Sequence, residues 1–215
     1  GKNRTIHLYR PPTREPVPLL LVWDGQDYLY RMHLNNMLDN LIHKGAIDPV
    51  AVVFIDNAGQ DLRTIEYACC DTSLAFLKFE LIPYVTRELK LIDINTYPGS
   101  FGVLGASMGG LMALYTALRM PDIFGKVISQ SGAFALGDFD MVVFELIKNR
   151  AHLPLKIWMD VGIYDLSGLL VANQRMRELL SAQGYPLIYR EYNAGHNYPA
   201  WRDDLSNGLE VLFGS

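Results

Sequence analysis

Apolar residues in this chain fall into short unbroken runs, separated by longer stretches with helical spacing. Runs at 18–23, 50–55, 100–104, 126–129, 155–159 and 187–192 predict strands, most of them buried on both faces. A further strand is expected over 5–9, ahead of Pro11-Pro12. Met32, Met37, Leu38, Leu41 and Ile42 share one side of a helix predicted over 30–43, which Gly45 is placed to end. Leu74, Leu77, Leu81 and Val85 form the buried stripe of a long helix over 72–89, and Pro83 should bend it. Helices are also expected over 110–118, around 141–148, over 169–182 and over 199–213. In the last, Pro199 suits the first turn, and Trp201, Leu205, Leu209 and Leu212 face inward. The segment 56–71 reads as a polar loop, and 134–154 as a variable stretch around its one helix. Alternating strands and helices, with strands apolar throughout, define an α/β fold: a mostly parallel central sheet with helices on both faces. No repeat or linker divides the chain, so residues 1–215 read as one domain. The first strand begins almost at residue 1, and the sheet is expected to lack an N-terminal strand or two.

Between the strand at 100–104 and the helix that follows lies Gly105-Ala106-Ser107-Met108-Gly109, a G-x-S-x-G pattern. Strand, tight turn and helix together make the setting of a nucleophile elbow, which exposes a serine Oγ above the sheet with a helix N-terminus beneath it. The two glycines are expected there because a Cβ would strike the neighbouring strand or helix. A serine needs a base, and the base needs an orienting acid. In this architecture the order along the chain is serine, acid, histidine. Of the five histidines, only His196, in Asn193-Ala194-Gly195-His196-Asn197, sits in the loop after the last strand, able to swing over the sheet toward Ser107. The acid should come from the loop after the preceding strand, where Asp160 and Asp165 both stand. Asp160 ends the strand; Asp165, beyond Gly162, is better placed to reach an imidazole. An oxyanion hole needs two backbone N–H groups. Met108, following the serine, offers one; Gln26, in the turn Asp24-Gly25-Gln26-Asp27, is the best candidate for the other.

Composition narrows the field without naming a substrate. Half the residues are hydrophobic and a fifth charged, with a net charge of −4 and no basic run, so neither nucleic acid nor an anionic membrane surface is expected as a partner. The longest apolar run, 16–23, is far too short to cross a bilayer. The chain reads as soluble, cytoplasmic or exported, with its oligomeric state open. Cys69 and Cys70 are adjacent and imply no disulfide framework. With no C-x-x-C, H-E-x-x-H, phosphate-loop or dinucleotide pattern, neither metal nor organic cofactor is expected.

Five pieces of the sequence resemble a known family. They are Val22-Trp23-Asp24-Gly25-Gln26; Ile55-Asp56 followed by Arg63-Thr64-Ile65-Glu66; Gly105-Ala106-Ser107-Met108-Gly109-Gly110; Ser129-Gln130-Ser131-Gly132; and Gly195-His196 with Trp201-Arg202. Together they resemble the α/β-hydrolase esterases grouped with esterase D, over nearly the whole chain. The R-x-x-E pair and the G-H-x4-W-R ending look most similar to the enterochelin (siderophore) esterase branch; feruloyl esterases and mycolyltransferases are relatives. The family's G-x-x-[D/E] pattern, here Gly162-Ile163-Tyr164-Asp165, favours Asp165 as the acid. The resemblance implies cleavage of a small ester through a serine-bound acyl-enzyme, with a siderophore, feruloyl or simpler ester as substrate. An acyltransferase with the same residues, or a catalytically idle module used for binding, are the competing readings. Arg63, Glu66, Asp27 and Trp201 are candidate substrate contacts, although Arg63 and Glu66 could instead pair with each other. Lys148, Arg150 and His152 could serve an anionic substrate or lie on a solvated surface. Phe134, Phe139 and Phe144 could line an aromatic pocket or belong to the core.

Overall fold

In the computed structural model, which describes residues 3–214 apart from the Gln60 side chain, the apolar runs become strands. These are β1 (Ile6–Tyr9), β2 (Leu19–Trp23), β3 (Ala51–Ile55), β4 (Phe101–Ala106), β5 (Phe124–Gln130), the short β6 (Ala135–Leu136) and β7 (Phe139–Asp140), β8 (Lys156–Gly162) and β9 (Leu187–Tyr192). Apart from β6 and β7, which pair as a separate hairpin, they form one seven-stranded sheet in the order β1-β3-β2-β4-β5-β8-β9. Neighbours are parallel except β1, which runs antiparallel to β3 at the edge. Every residue of β2, β3 and β4 is buried, which explains why these segments show no alternation of apolar and polar positions.

Successive side chains leave a strand on opposite faces, so each central strand feeds two cores. Leu19, Leu21, Trp23, Val53 and Val103 pack on one side, and Leu20, Val22, Val52, Phe54 and Leu104 on the other. The first face is covered by α4 (Asp71–Phe76), α5 (Ile82–Glu88), α6 (Met108–Arg119), α7 (Val143–Asn149) and α8 (Ser167–Ala182), after α1 (Gly25–Tyr30), α2 (Leu34–His43) and α3 (Gln60–Tyr67) in chain order. The second face is closed by α1, α2 and α9 (Tyr198–Phe213).

Three segments depart from the pattern reading. The helix predicted over 30–43 starts later, as α2 at Leu34: the turn at Asp24–Asp27 runs into the separate helix α1, which ends at Tyr30, and His33 at φ 53° divides the two. The segment 56–71 is not all loop: α3 occupies Gln60–Tyr67, a polar helix in which, among the described side chains, Tyr67 alone is fully buried. The stretch 72–89 is α4, a π-helical turn at Leu77–Leu81, and α5. Pro83 enters α5 in its first turn, where its missing N–H is harmless, and the widened turn ahead of it spares the ring a clash with the preceding carbonyls.

Candidate active site

Strand β4 passes into α6 through Ser107, which sits at φ 59°, ψ −123°, a conformation few non-glycine residues adopt. Hydrogen bonds hold it there: Ser107 N–H donates to the Gln130 carbonyl at 2.8 Å, and Ala133 N–H donates to the Ser107 carbonyl at 3.0 Å. A Cβ on Gly105 would lie 2.3 Å from the Gly109 carbonyl oxygen, so strand and helix can approach this closely only with glycine there. At Gly109 the restriction is softer, 3.1 Å from the Asp24 carboxylate; Gly110, 2.8 Å from Ser129 Oγ, is tighter. Met108 is the first residue of α6, so its amide has no acceptor within the helix.

The acid and base loops leave adjacent strands. Strands β8 and β9 stay paired to Gly162 and Tyr192, and the ladder continues as Ile163 N–H donates to the Tyr192 carbonyl (2.9 Å) and Tyr164 N–H to that of Ala194 (3.1 Å). His196 Nδ1 lies 2.8 Å from Asp165 Oδ1, which also accepts the Leu166 N–H at 2.7 Å. The other carboxylate oxygen accepts the Ser131 hydroxyl at 2.6 Å. Burial pushes the Asp165 carboxyl upward, but the hydrogen bonds from His196 and Ser131 outweigh it and hold the group below its ordinary value. Bonding of Nδ1 to the acid leaves the far imidazole nitrogen, Nε2, for the cleft that His196 shares with Ser107. No hydrogen bond joins Ser107 to the imidazole among the described residues.

Asp160 has a different setting. It is fully buried and accepts from Trp158 Nε1 (2.9 Å), Gln130 Nε2 (3.2 Å) and the Tyr192 hydroxyl (3.3 Å). Burial is the main cause pushing its carboxyl up to about 7, with those donors opposing. It makes no bond to His196.

The cleft has a volume of about 400 Å³ and is lined by Asp27, Arg31, Arg63, Ala106, Ser107, His196, Asn197, Tyr198 and Trp201. Arg63 donates through Nε and Nη2 to both oxygens of the buried Asp24, each at 2.7 Å. Asn57 Nδ2 adds a bond to the same carboxylate at 2.9 Å. Asp24 stands at φ 55° in the turn between β2 and α1, so this ion pair fixes the turn that presents Gln26. Gln26 Oε1 accepts the Asn57 N–H (3.1 Å), and its own amide, in the first turn of α1, has no partner within the helix.

Arg63 and Glu66 do not pair with each other. Glu66 bonds to Arg4 and lines a separate hollow with Asn3, Cys70 and Phe76, away from Ser107. Arg63 and Glu66 lie three apart on α3, yet each is claimed by a partner more than 30 residues away. Phe134 and Phe144 are core residues, whereas Phe139 is 80% exposed on the β6–β7 hairpin. Lys148 pairs with Glu145, Arg150 donates to the Leu118 carbonyl, and His152 stacks on Tyr185. The structure adds residues that spacing did not single out. Arg31 lies 4.2 Å over the Tyr198 ring and 3.2 Å from Asp27, and Ser131 touches the acid. Among the described residues, no three His, Cys, Asp or Glu side chains cluster as metal ligands, and no helix is long and apolar enough to cross a membrane.

A mostly parallel sheet with an elbow serine after a central strand and a bonded acid and histidine after the last two strands is the α/β-hydrolase architecture. Residues 1–212 match the family described as "Putative esterase", and the chain belongs to that family. It is 31% identical to the iron(III) enterobactin esterase of Dickeya dadantii (strain 3937), over 98% of this chain and 52% of the relative. A crystal structure of the enterobactin esterase from Shigella flexneri in the presence of 2,3-di-hydroxy-N-benzoyl-serine superposes with a TM-score of 0.88, at 28% identity, over 97% of this chain and 55% of that one. The chain thus spans about half the length of these enterobactin esterases. A ferulic acid esterase superposes with a TM-score of 0.79 over 98% of this chain and 92% of its own, at 16% identity, a likeness of fold alone.

Proposed function

We propose that this chain cleaves a carboxylic ester through Ser107, His196 and Asp165. The observation that carries the reading is the 2.8 Å bond from Asp165 to His196 Nδ1, in a cleft that also opens onto the elbow serine. His196 Nε2 takes the Ser107 proton as Oγ attacks the ester carbonyl, and the imidazolium is held by Asp165. The Met108 and Gln26 amides receive the oxyanion; such donors are worth about 3 kcal/mol each. The proton then passes from His196 to the departing alkoxide, leaving an acyl-Ser107. A water, deprotonated by the same imidazole, attacks that acyl group and restores the serine. The hydroxyl and imidazole are brought into contact as substrate fills the cleft, as is common for catalytic bonds that are long in the free enzyme.

For substrate we propose an acidic catechol ester of the dihydroxybenzoyl-serine type. The names and ligands of the relatives support it, and so does one exposed guanidinium in the cleft. Arg63 is occupied by Asp24, but Arg31 is 59% exposed and holds Asp27 through an open ion pair of a kind worth under about 1 kcal/mol. Its guanidinium can turn to a ligand at little cost. The test is a panel of enterobactin, feruloyl, acetyl-sugar and p-nitrophenyl butyrate esters ranked by kcat/KM, repeated with Arg31→Ala. Enterobactin should rank first, and the variant should lose several-fold on it while p-nitrophenyl butyrate is unaffected. Equal loss on all esters would refute the role of Arg31. No cleavage of any ester, together with no labelling by a fluorophosphonate, would refute the triad.

A further inference from the structure

We infer that Ser131 and Trp201 are positioning residues that lock the acid and base of this site into line, an inference that rests on the triad proposed above. Ser131 lies just past β5, in the left-handed region at φ 47°, and its N–H donates to the Asp160 carbonyl at 2.7 Å. Its hydroxyl meets three groups, the Trp201 indole, the Asp165 carboxylate and the Tyr192 hydroxyl, and the first two fix its direction. The Trp201 indole Nε1, 3.0 Å away, can only donate, so it occupies a Ser131 lone pair. The ionised Asp165 carboxylate, 2.6 Å away, can only accept, so it receives the Ser131 proton. The result is a directed chain from indole N–H to serine O–H to Asp165 Oδ2.

The Asp165 side chain is fully buried. Its Oδ1 serves His196 and the Leu166 amide, so Ser131 supplies the hydrogen bond recorded on Oδ2. Without it a buried carboxylate lone pair is left unmet and the group is free to turn about its own bond, carrying the imidazole with it. Trp201 also acts on the base directly. Its ring stands edge-on to His196, with centroids 4.8 Å apart and planes at 86°. It is 3% exposed, and its carbonyl accepts Gln130 Nε2 at 2.9 Å. One side chain therefore steadies the imidazole by contact and the carboxylate through Ser131. The other charged or titratable groups around the pair are Asp27, Arg31, Arg63 and Tyr198 in the cleft and Tyr192 and Asp160 beneath it; none of them bonds to His196.

The experiment compares wild type with Ser131→Gly, Trp201→Phe and the double variant. Glycine accepts the positive φ, and phenylalanine keeps the ring against His196, so each change removes chiefly a hydrogen bond. Two quantities are read: the rate of Ser107 labelling by a fluorophosphonate, and the downfield proton resonance of His196 Nδ1–H on Asp165. Ser131→Gly should slow labelling by on the order of 10-fold or more and shift or broaden the resonance. Trp201→Phe should move both in the same direction by less. The double variant should be no slower than Ser131→Gly, because the indole N–H acts through the serine hydroxyl. Full additivity of the two losses, or an unmoved resonance in Ser131→Gly, would overturn the inference. Wild-type protein that shows the resonance but never labels would overturn the triad reading instead.

Discussion

Asp160 offers a test of how the fold treats a carboxylate that the chemistry does not use. Its carboxyl is pushed from an ordinary 3.8 up to about 7, mainly by complete burial. Between those values the unfolded chain carries the charge and the folded chain carries the proton, so stability falls by about 1.4 kcal/mol for each unit of rising pH. The favourable contribution of the protonated group is intact below about pH 4 and gone above about pH 7, a span worth about 4 kcal/mol. Asparagine resembles the protonated acid. Its oxygen can accept from Trp158 and Gln130 where Oδ2 stands, and its amide can face the Tyr192 oxygen where Oδ1 stands. Urea unfolding of wild type and Asp160→Asn at half-unit steps from pH 4.5 to 8 measures the difference. Any fixed packing effect of the amide cancels in the pH dependence. The variant should gain steadily on wild type up to about pH 7 and hold a plateau beyond it. Parallel curves across the whole range would refute the claim that the folded protein keeps this group protonated.

Ester turnover should separate the two aspartates sharply. Asp165→Asn should lower kcat by about 10³–10⁴-fold, as expected when the orienting acid of a triad is lost, while Asp160→Asn stays within a few-fold of wild type; steady-state kinetics on one ester decides it. Ser107→Ala should abolish labelling and turnover with little change in melting temperature. Ser107→Gly should melt above Ser107→Ala, since only glycine suits φ 59°, ψ −123°, and calorimetry on the two inactive proteins checks this. Gly105→Ala drives a methyl to 2.3 Å from a backbone carbonyl that cannot step aside, and should lower stability by at least 1–3 kcal/mol in denaturant unfolding.

What the sequence disclosed follows from which forces are local. The central strands were legible because burial on both faces leaves no polar position in them, and the elbow because Gly105 is demanded by a contact four residues away, at Gly109. The antiparallel course of β1 carried no such mark, since the four residues of β1 contain nothing that sets direction. Helix α3 escaped because it has no buried apolar stripe; Arg63, bonded to Asp24, and the buried Tyr67 tie it to the rest of the fold. His33 divides α1 from α2 without any Gly or Pro to announce it. At the site, the meeting of Ser107, His196 and Asp165 could be read from loop order. The Asp24–Arg63 pair spans 39 residues and the Trp201–Ser131 bond 70, and only the folded sheet brings such partners together. For the same reason the alternative Arg63–Glu66 pair did not form: Arg63 is held by the buried Asp24, and Glu66 by Arg4.

The close approach of the β8 and β9 extensions decides which distances within the proposed triad can vary. A methyl on Gly162 would sit 2.1 Å from the Ala194 oxygen, so the two loops are joined backbone to backbone below the carboxylate and imidazole. Those two groups therefore ride on a shared platform, whereas Ser107 stands at the end of β4, with β5 between. Thermal flexing alters the gap to the serine far more easily than the gap between the other two.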